Sequence, residues 1–212
     1  MSVIRPMRAD AVRNRRKILD AANAQITARG PEVGMDEIAQ AAGVAVGTLY
    51  RHFPTKTDLV AAVVAEYVLV VADDAQESLA RARAGSSRAA DEVIGFLTRV
   101  AESSADHHAV KAAAQGLGVE GHGDKSDESR ASAALAELIT IGQADGDIRA
   151  EVTVDDIYLL MATAPTDQPA PVRQRWLDLI LPGITTPSGW GRVGREAAAE
   201  PVGRAARKSP AW

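Results

Sequence analysis

The sequence has no cysteine, few aromatic residues and no apolar run that approaches the length of a membrane span. The missing cysteines exclude disulfide bonds and thiolate metal sites. Aromatic residues make up 4% of the chain and apolar residues 46%, so we expect a core of packed aliphatic side chains. Residues 1–17 lack the apolar stretch of a secretory signal. We therefore expect a soluble cytoplasmic protein that has no membrane partner.

Motifs that build catalytic or metal sites are also missing. The chain has no Walker loop and no nucleophile elbow, and its carboxylates fall at predicted helix starts, where capping explains them. His107 and His108 are adjacent, so their side chains point about 100° apart on a helix. His122 lies in a Gly-rich stretch that supplies no fixed ligand spacing. We therefore predict that the protein is not an enzyme and that it holds no metal and no cofactor.

The net charge is −4, but the charges are unevenly distributed along the chain. Residues 1–60 hold nine Lys or Arg and six Asp or Glu, a net charge of +3. Residues 61–182 hold ten Lys or Arg and twenty Asp or Glu, a net charge of −10. Residues 183–212 have a net charge of +3. A basic N-terminal unit on an acidic body is the pattern expected of a phosphate-binding domain attached to a part that does not bind nucleic acid.

Apolar residues recur at helical spacing through most of the chain, and no convincing strand or repeat appears. One predicted helix, from about 55 to 83, starts with an approximate capping box of Thr55 and Asp58 and runs from the N-terminal unit into the body. The other predicted helices cover 10–29, two short segments within 35–53, and 91–104, 107–117, 127–144, 154–164 and 172–181. We divide the chain into a flexible basic arm at 1–9, an N-terminal domain at 10–54, a helical domain at 55–182 and a disordered tail at 183–212.

The most informative stretch is residues 35–53, which read MDEIAQAAGVAVGTLYRHF. Ala39, Gly43 and Leu49 stand where two helices joined by a tight turn need a small contact, a conformationally permissive residue and a core anchor. This spacing predicts a helix-turn-helix, a unit whose second helix lies in the major groove of DNA. Helical proteins that do not bind DNA also contain pairs of helices joined at a glycine. The DNA-binding interpretation therefore depends on the basic flank, the outward polar residues and Lys56 as well.

The second short helix divides into a buried and an outward face. Leu49 and Phe53 share the face that enters the core. On the outward face, hydroxyl and imidazole groups can reach phosphates, an Arg can reach a phosphate or a guanine edge, and small apolar groups can touch thymine methyls. Arg5 and Arg8 in the arm are placed to enter a minor groove. The predicted DNA-binding residues are Ala45, Val46, Gly47, Thr48, Tyr50, Arg51, His52 and Lys56.

These same residues carry a family resemblance. Residues 18–64 resemble the N-terminal domain of the TetR family of bacterial transcriptional regulators, and the match covers about a quarter of the chain. Two positions depart from the family pattern: Gln25 stands where an apolar residue is usual, and Gly34 stands where Ser or Thr usually caps the second helix. The matching elements are IL-x-AA at 18–22, Gly30, MDEIA at 35–39, AGVAVGTLYRHF at 42–53 and Lys56-x-x-Leu59.

The resemblance implies an all-α fold in which a three-helix helix-turn-helix domain is joined by a long helix to a C-terminal helical domain for ligand binding and dimerisation. It also implies a homodimer that represses transcription from a pseudo-palindromic double-stranded DNA operator and is released by a small-molecule effector. The family dimerises through its last two helices, here 155–164 and 172–181. The alternatives are an activator, a ligand-independent DNA binder, and a helical protein-interaction or small-molecule-binding module whose N-terminal domain does not bind DNA.

The body carries candidates for the effector site, although apolar stripes of this kind are more often simply core. Because generic apolar helices encode no ligand motif, the sequence does not name the effector. The candidates for the ligand site are Phe96, Leu97, Val100, Leu117, Leu135, Tyr158 and Met161.

Overall fold

The computed structural model describes the backbone of residues 4–119 and 125–189, and within these ranges the side chains from residue 10 onward. These residues form nine α-helices and no β-strand, which confirms the all-α fold. The only bridge between extended segments among them joins Ile148 and Thr185. The helices are α1 (Ile4–Arg29), α2 (Met35–Ala42), α3 (Val46–His52), α4 (Lys56–Arg83), α5 (Ala89–Asp106), α6 (His108–Gly116), α7 (Lys125–Ala144), α8 (Val154–Ala162) and α9 (Ala170–Ile184).

Helices α1, α2 and α3 and the first turns of α4 enclose one hydrophobic cluster, which we call the head core. Aliphatic side chains at helical spacing supply it, as the sparse aromatic content predicts. Its fully shielded members include Ile18, Ile26, Ile38, Leu49 and Leu59.

A second cluster, which we call the body core, lies among the later part of α4 and helices α5, α7, α8 and α9. Leu97, Leu138, Ile157 and Leu177 are almost completely shielded at its centre. The two clusters correspond to the two helical units that the sequence predicts, here called the head and the body.

Helix α4 joins the two units. Its start is fixed by a capping box, in which the Asp58 backbone N–H donates to Thr55 Oγ1 at 3.1 Å and the Thr55 N–H donates to the Asp58 carboxylate at 3.0 Å. Leu59 and Val63 then lie in the head core, whereas Leu79 lies in the body core. One continuous helix therefore packs into both units.

Helix α6 also connects the units, in a way that the sequence does not predict. It follows α5 of the body, yet Val110, Ala113 and Ala114 are buried in the head core, where α6 contacts α1 and α4. The Thr27 hydroxyl of α1 donates to the backbone carbonyl of Asp106 just before α6, at 3.4 Å. Since small Ala side chains let helices approach closely, this segment is suited to lie between head and body.

The predicted arm at 1–9 differs from the structure, because α1 begins at Ile4. Pro6 falls in the first turn of this helix, where a missing N–H removes no intrahelical hydrogen bond, so the proline does not prevent helix formation. The backbone of residues 4–9 is therefore helical, although their sequence lacks apolar periodicity.

The predicted tail at 183–212 starts too early. Helix α9 continues to Ile184, and the next residues pair with the turn after α7: the Arg149 N–H donates to the Ile184 carbonyl at 3.0 Å, and the Thr186 N–H donates to the Asp147 carbonyl at 2.9 Å. A β-carbon on Gly189 would lie 2.3 Å from the Asp147 carbonyl oxygen, so this approach requires glycine. Backbone groups of the turn are satisfied by this segment, and residues 190–212 lie outside the described part of the chain.

Candidate functional site

Helices α2 and α3 form the predicted helix-turn-helix. Gly43 ends α2 in the left-handed conformation with φ of 65°, which a β-carbon disfavours. The Val44 N–H donates back to the Ala39 carbonyl at 3.1 Å and closes the turn. Ala39 and Leu49 are both fully buried. The three roles predicted from spacing, a small contact, a permissive turn residue and a core anchor, are those that the structure shows.

Helix α3 is a short helix with a single buried residue and an exposed outer face. Leu49 is its only buried residue, and Phe53 packs beside it at the end of the helix. Tyr50 is 44% exposed and Val46 40% exposed, and the two lie one turn apart on the same face of the helix. The structure brings seven of the predicted residues together on α3 and its cap: Ala45, Val46, Gly47, Tyr50 and Arg51 exposed, and Thr48 and His52 half-buried.

Gly47 and Arg51 lie one helical turn apart on this face. No heavy atom lies within 4 Å of where a Gly47 β-carbon would stand, so nothing inside the head explains a glycine there. Arg51 Nε donates to the Gly47 carbonyl at 3.1 Å, which holds the guanidinium along the helix and leaves its other N–H groups for an acceptor. The helix can thus approach another backbone closely, with a cation at its side.

Lys56 is held more firmly than the sequence predicts. Its ammonium donates to the backbone carbonyl of Val33 at 2.7 Å and also to that of Pro31, so it braces the loop between α1 and α2. An ammonium carries three N–H groups, and one remains for a phosphate. Lys56 is therefore a bracing residue in the free protein, and any phosphate contact uses a side chain that is already positioned.

The start of α2 is organised without the hydroxyl cap that is usual in the family. The Gly34 N–H donates to the Glu37 carboxylate at 2.8 Å, and Arg29 pairs with the same carboxylate at 2.5 Å. The backbone hydrogen bond from Gly34, and then Arg29, lower the pKa of Glu37 below its ordinary value. The carboxylate remains charged at neutral pH and fixes the helix start.

The basic face of α1 is partly neutralised. Arg13 pairs with Asp10, and Arg16 pairs with Asp20 at 3.1 Å. Two other basic side chains of this helix have no ion pair to any described residue. The Arg15 guanidinium lies 5.3 Å from the centre of the Phe53 ring, and Lys17 is exposed. The side chains of Arg5 and Arg8, predicted for a minor groove, lie outside those described.

A cavity of about 520 Å³ is lined by residues of both the head and the body. Its volume is within the range of small-molecule sites. Most of its lining is apolar, and three polar lining residues, Tyr67, Ser104 and Lys111, contact one another. The lining residues are Val64, Tyr67, Val68, Val71, Val100, Ser104, Lys111, Glu128, Ala131, Tyr158, Met161 and Ala162.

Chain comparisons agree with this architecture. Residues 18–63 match the model of the bacterial regulatory proteins, tetR family, and residues 88–186 match that of the SbtR-like transcriptional regulator C-terminal domain. The crystal structure of a TetR transcription regulatory protein from Mycobacterium vanbaalenii is 34% identical, with a TM-score of 0.67, and the match covers 85% of this chain and all of that one. The chain belongs to the TetR family. A TetR-family protein is a DNA-binding transcriptional regulator, not an enzyme.

Two further relatives are similar over different lengths, one over most of this chain and the other over the head alone. A TetR transcriptional regulator of Streptomyces coelicolor is 26% identical over 82% of this chain and 99% of its own, with a TM-score of 0.63. A helix-turn-helix-type transcriptional regulator of Staphylococcus aureus is 44% identical over 54 residues, 25% of this chain. That match spans only 29% of the relative's length, so it concerns the head.

Three of the predicted ligand residues of this TetR-family protein line the cavity, namely Val100, Tyr158 and Met161. The other four do not. Leu117 is 40% exposed at the end of α6, because the helix turns its Ala face and not its last residue towards the interior. Phe96, Leu97 and Leu135 are buried in the body core, where neighbouring helices fill the space around them.

Sequence reasoning missed four polar residues of the cavity lining, and also the valines of α4, Ala131 and Ala162. Tyr67, Ser104 and Lys111 come from α4, α5 and α6 and meet only in the folded chain. The single available signal was Lys111, which is the only Lys, Arg, Asp or Glu in the Ala-rich α6. A lone charge in such a helix is usually solvated, so its position against an aromatic ring could not be read from spacing.

The outer faces of α8 and α9 expose large apolar side chains. Leu159 is 66% exposed, Leu179 62% and Val172 46%. Leu159 and Leu179 also line a surface groove together with Leu160, Ile180 and Ile184. We call this surface the α8–α9 face. Contiguous exposed apolar groups of this kind mark an interaction surface.

The histidines considered for a metal are used differently. His107 packs against the Tyr67 ring with centroids 4.7 Å apart, and His108 Nδ1 lies 2.9 Å from the Thr166 hydroxyl. Across residues 4–119 and 125–189 no group of three potential ligands is close enough to hold a metal ion, and His122 lies outside these ranges. Within the same ranges no helix is long and apolar enough to cross a membrane.

Proposed function

We propose that the protein is a ligand-responsive repressor that binds a pseudo-palindromic DNA operator as a homodimer in the bacterial cytoplasm. The observation that carries the proposal is the open face of α3: Leu49 is the only buried residue of this helix, and Val46, Gly47, Tyr50 and Arg51 are exposed. A helix anchored in this way and preceded by a second helix has the dimensions that a major groove accepts.

The proposed contacts of α3 with DNA are of two kinds: phosphate contacts that position the head and base contacts that select the sequence. Tyr50, His52 and Lys56 carry donors suited to phosphates, and these contacts fix the register of the head without selecting a sequence. Thr48 and Arg51 carry groups suited to base edges. Since few side chains on α3 can read bases, DNA shape contributes to the sequence preference.

Dimerisation would use the α8–α9 face. Two heads must lie about one DNA turn apart, or a multiple of it, to enter successive major grooves, and a two-fold dimer explains a pseudo-palindromic operator. The exposed leucines at 159 and 179 are on the two helices that the family pattern assigns to the contact. Burial of these side chains in a symmetric pair removes the largest apolar exposure that the described body shows.

The cavity is placed to link effector binding to head position. Val64, Val68 and Val71 line it from α4, where that helix passes from the head core, which contains Val64, to the body core, against which Val71 packs. Lys111 lines it from α6, whose neighbouring residue Val110 is buried in the head core. An effector in the cavity therefore contacts both helices that hold the head.

Helix α8 gives the cavity a second connection. Tyr158, Met161 and Ala162 share one side of this helix and line the cavity, whereas Leu159 points about 100° away into the groove of the α8–α9 face. Effector binding and dimer geometry thus act on different sides of one short helix. An effector that binds better at another spacing of the heads shifts the population away from the DNA-competent state, and DNA must weaken the effector in return.

Selection of binding sites from random double-stranded DNA tests the proposal. We expect an enriched sequence with two-fold symmetry, bound by two chains, with an affinity that falls steeply as salt rises. Spin labels on the two heads of the dimer test the ligand response. No enrichment of any sequence would contradict the repressor, and an unchanged head-to-head distance on effector binding would contradict the proposed response.

A further inference from the structure

The buried end of the cavity is made of hydrogen-bond donors. The Tyr67 hydroxyl and Ser104 Oγ lie 2.6 Å apart, and Tyr67 and Ser104 are only 8% and 7% exposed. Two hydroxyls carry two hydrogens, and the hydrogen bond between them uses one. Whichever of the two donates, one hydroxyl hydrogen remains for another acceptor.

Lys111 adds charge to the same end. Its Nζ donates to Ser104 Oγ at 3.3 Å and lies 4.2 Å from the centre of the Tyr67 ring. The ring face favours a cation there but supplies no negative charge. Among the described residues no carboxylate lies within ion-pair distance of Lys111, so two N–H groups of a partly shielded ammonium are left for an incoming acceptor.

The rest of the cavity is of the opposite character. Val64, Val68, Val71 and Val100 form apolar walls beyond the polar end. The lining carboxylate, Glu128, is exposed on the first turn of α7, where solvent screens its charge, and Tyr158, which also lines the cavity, is 45% exposed. The buried end therefore suits an anion, and the walls suit an apolar group.

From this arrangement we infer that the cavity takes an anionic amphipathic molecule, with its carboxylate, sulfonate or phenolate on Lys111 and Ser104 and its apolar body between α4, α5 and α8. A neutral molecule leaves the ammonium without a counter-anion, and a cationic one brings like charges together. The inference rests on the proposed function only in taking the cavity for the effector site.

A matched pair of dyes tests the chemistry of the site. The anionic probe is 8-anilinonaphthalene-1-sulfonate, and the neutral probe is N-phenyl-1-naphthylamine, which has the same ring system without the sulfonate. Fluorescence titration of the full chain is expected to show one sulfonate dye per chain, bound at least about ten-fold more tightly than the neutral dye.

Variants at Lys111 test whether its ammonium causes the preference for the sulfonate dye. Lys111→Met should weaken the sulfonate dye about ten-fold or more and leave the neutral dye within about three-fold, whereas Lys111→Arg should keep the preference. Lys125→Met, on the exposed start of α7, removes the same charge outside the cavity and should behave as the parent protein. Lys111→Gln replaces the Met variant if circular dichroism shows that the latter does not fold.

Three results would overturn the inference: equal affinity for the two dyes, equal loss in the Lys111 and Lys125 variants, or binding of neither dye. Operator binding without any dye is measured on the same preparations. A protein that binds no operator but shows the Lys111-dependent preference contradicts the proposed repressor and not the ligand class. A protein that binds its operator but shows no such preference contradicts the ligand class alone.

Discussion

Lys56 Nζ lies 2.7 Å from the backbone carbonyl oxygen of Val33 and donates a hydrogen bond to it. This contact ties the start of α4 to the loop before α2, and so sets the angle at which the helix-turn-helix meets the long connecting helix. A residue whose sequence position indicates a phosphate contact therefore also has a role inside the free head.

Lys56→Ala is accordingly expected to have two effects. It should lower the free energy of unfolding by about 1 kcal/mol, because two backbone carbonyls lose a charged donor, and it should weaken binding to all DNA sequences alike. Lys17→Ala, on the exposed side of α1, should leave stability within about 0.5 kcal/mol of the parent protein. Chemical denaturation measures both variants, and equal stabilities would show that the carbonyl contacts contribute nothing.

Two glycines of the helix-turn-helix make a matched pair. Gly43→Ala should destabilise the protein by about 1 kcal/mol, because a β-carbon strains the left-handed turn although space is available for it. Gly47→Ala places a methyl group in open space on a helix and should stabilise by about 0.5 kcal/mol. The same Gly47 variant should weaken operator binding about ten-fold if α3 approaches DNA closely. Unchanged operator affinity would show that Gly47 does not face DNA.

The α8–α9 face makes a prediction about assembly. If the proposed dimer forms through this face, Leu159→Glu with Leu179→Glu should convert it to monomers, because carboxylates would be buried in the contact. Val12→Glu makes the same change at a side chain that is 68% exposed on α1 and should leave the dimer intact. Sedimentation equilibrium separates the outcomes, and a dimeric double variant would place the contact elsewhere.

The ion pair between Arg81 of α4 and Glu92 of α5, which we call the clamp, predicts that the stability of the protein falls in acid. Two hydrogen bonds from Arg81, at 2.9 and 2.8 Å, hold the pKa of the buried Glu92 carboxyl below its usual value of 4.5, although burial alone would raise it. With the folded pKa lower than the unfolded one, this stabilisation is complete above about pH 4.5 and is lost as the pH falls through the folded pKa.

Glu92→Gln should therefore lower the free energy of unfolding at pH 7 by about 1 kcal/mol. The free energy of unfolding of this variant should also fall less steeply than that of the parent protein as the pH is lowered. Glu102→Gln on the same helix, at an exposed carboxylate with no ion pair to a described residue, is the control. Thermal unfolding between pH 3 and pH 7 measures the difference, expressed as a free energy. Parallel curves for the two variants would contradict a stabilising role of the clamp.

Local patterns allowed the head to be predicted in detail. The turn at Gly43, the anchor at Leu49 and the cap at Thr55 each depend on residues a few positions apart, so spacing alone fixes their roles. The helical periodicity of the body likewise predicts its helices. The division into domains, the DNA contacts and the effector remain predictions.

The cavity could not be predicted in the same way. Val100 lines it while Leu97 of the same helix fills the core, and only the packing of α5 against its neighbours separates the two. Tyr67 and Lys111 meet because α6 folds back onto the head, a contact made by small Ala residues that carry no specific signal. Long-range packing thus decides which apolar and polar side chains share a site.

The most direct test of the account is the affinity of the protein for its selected operator, measured by fluorescence anisotropy over a range of salt concentrations. We predict that the logarithm of the association constant falls linearly with the logarithm of salt concentration, and that Tyr50→Ala lowers affinity about ten-fold or more without changing helix content. An affinity that is independent of salt, or unchanged in Tyr50→Ala, would contradict the claim that the open face of α3 binds DNA.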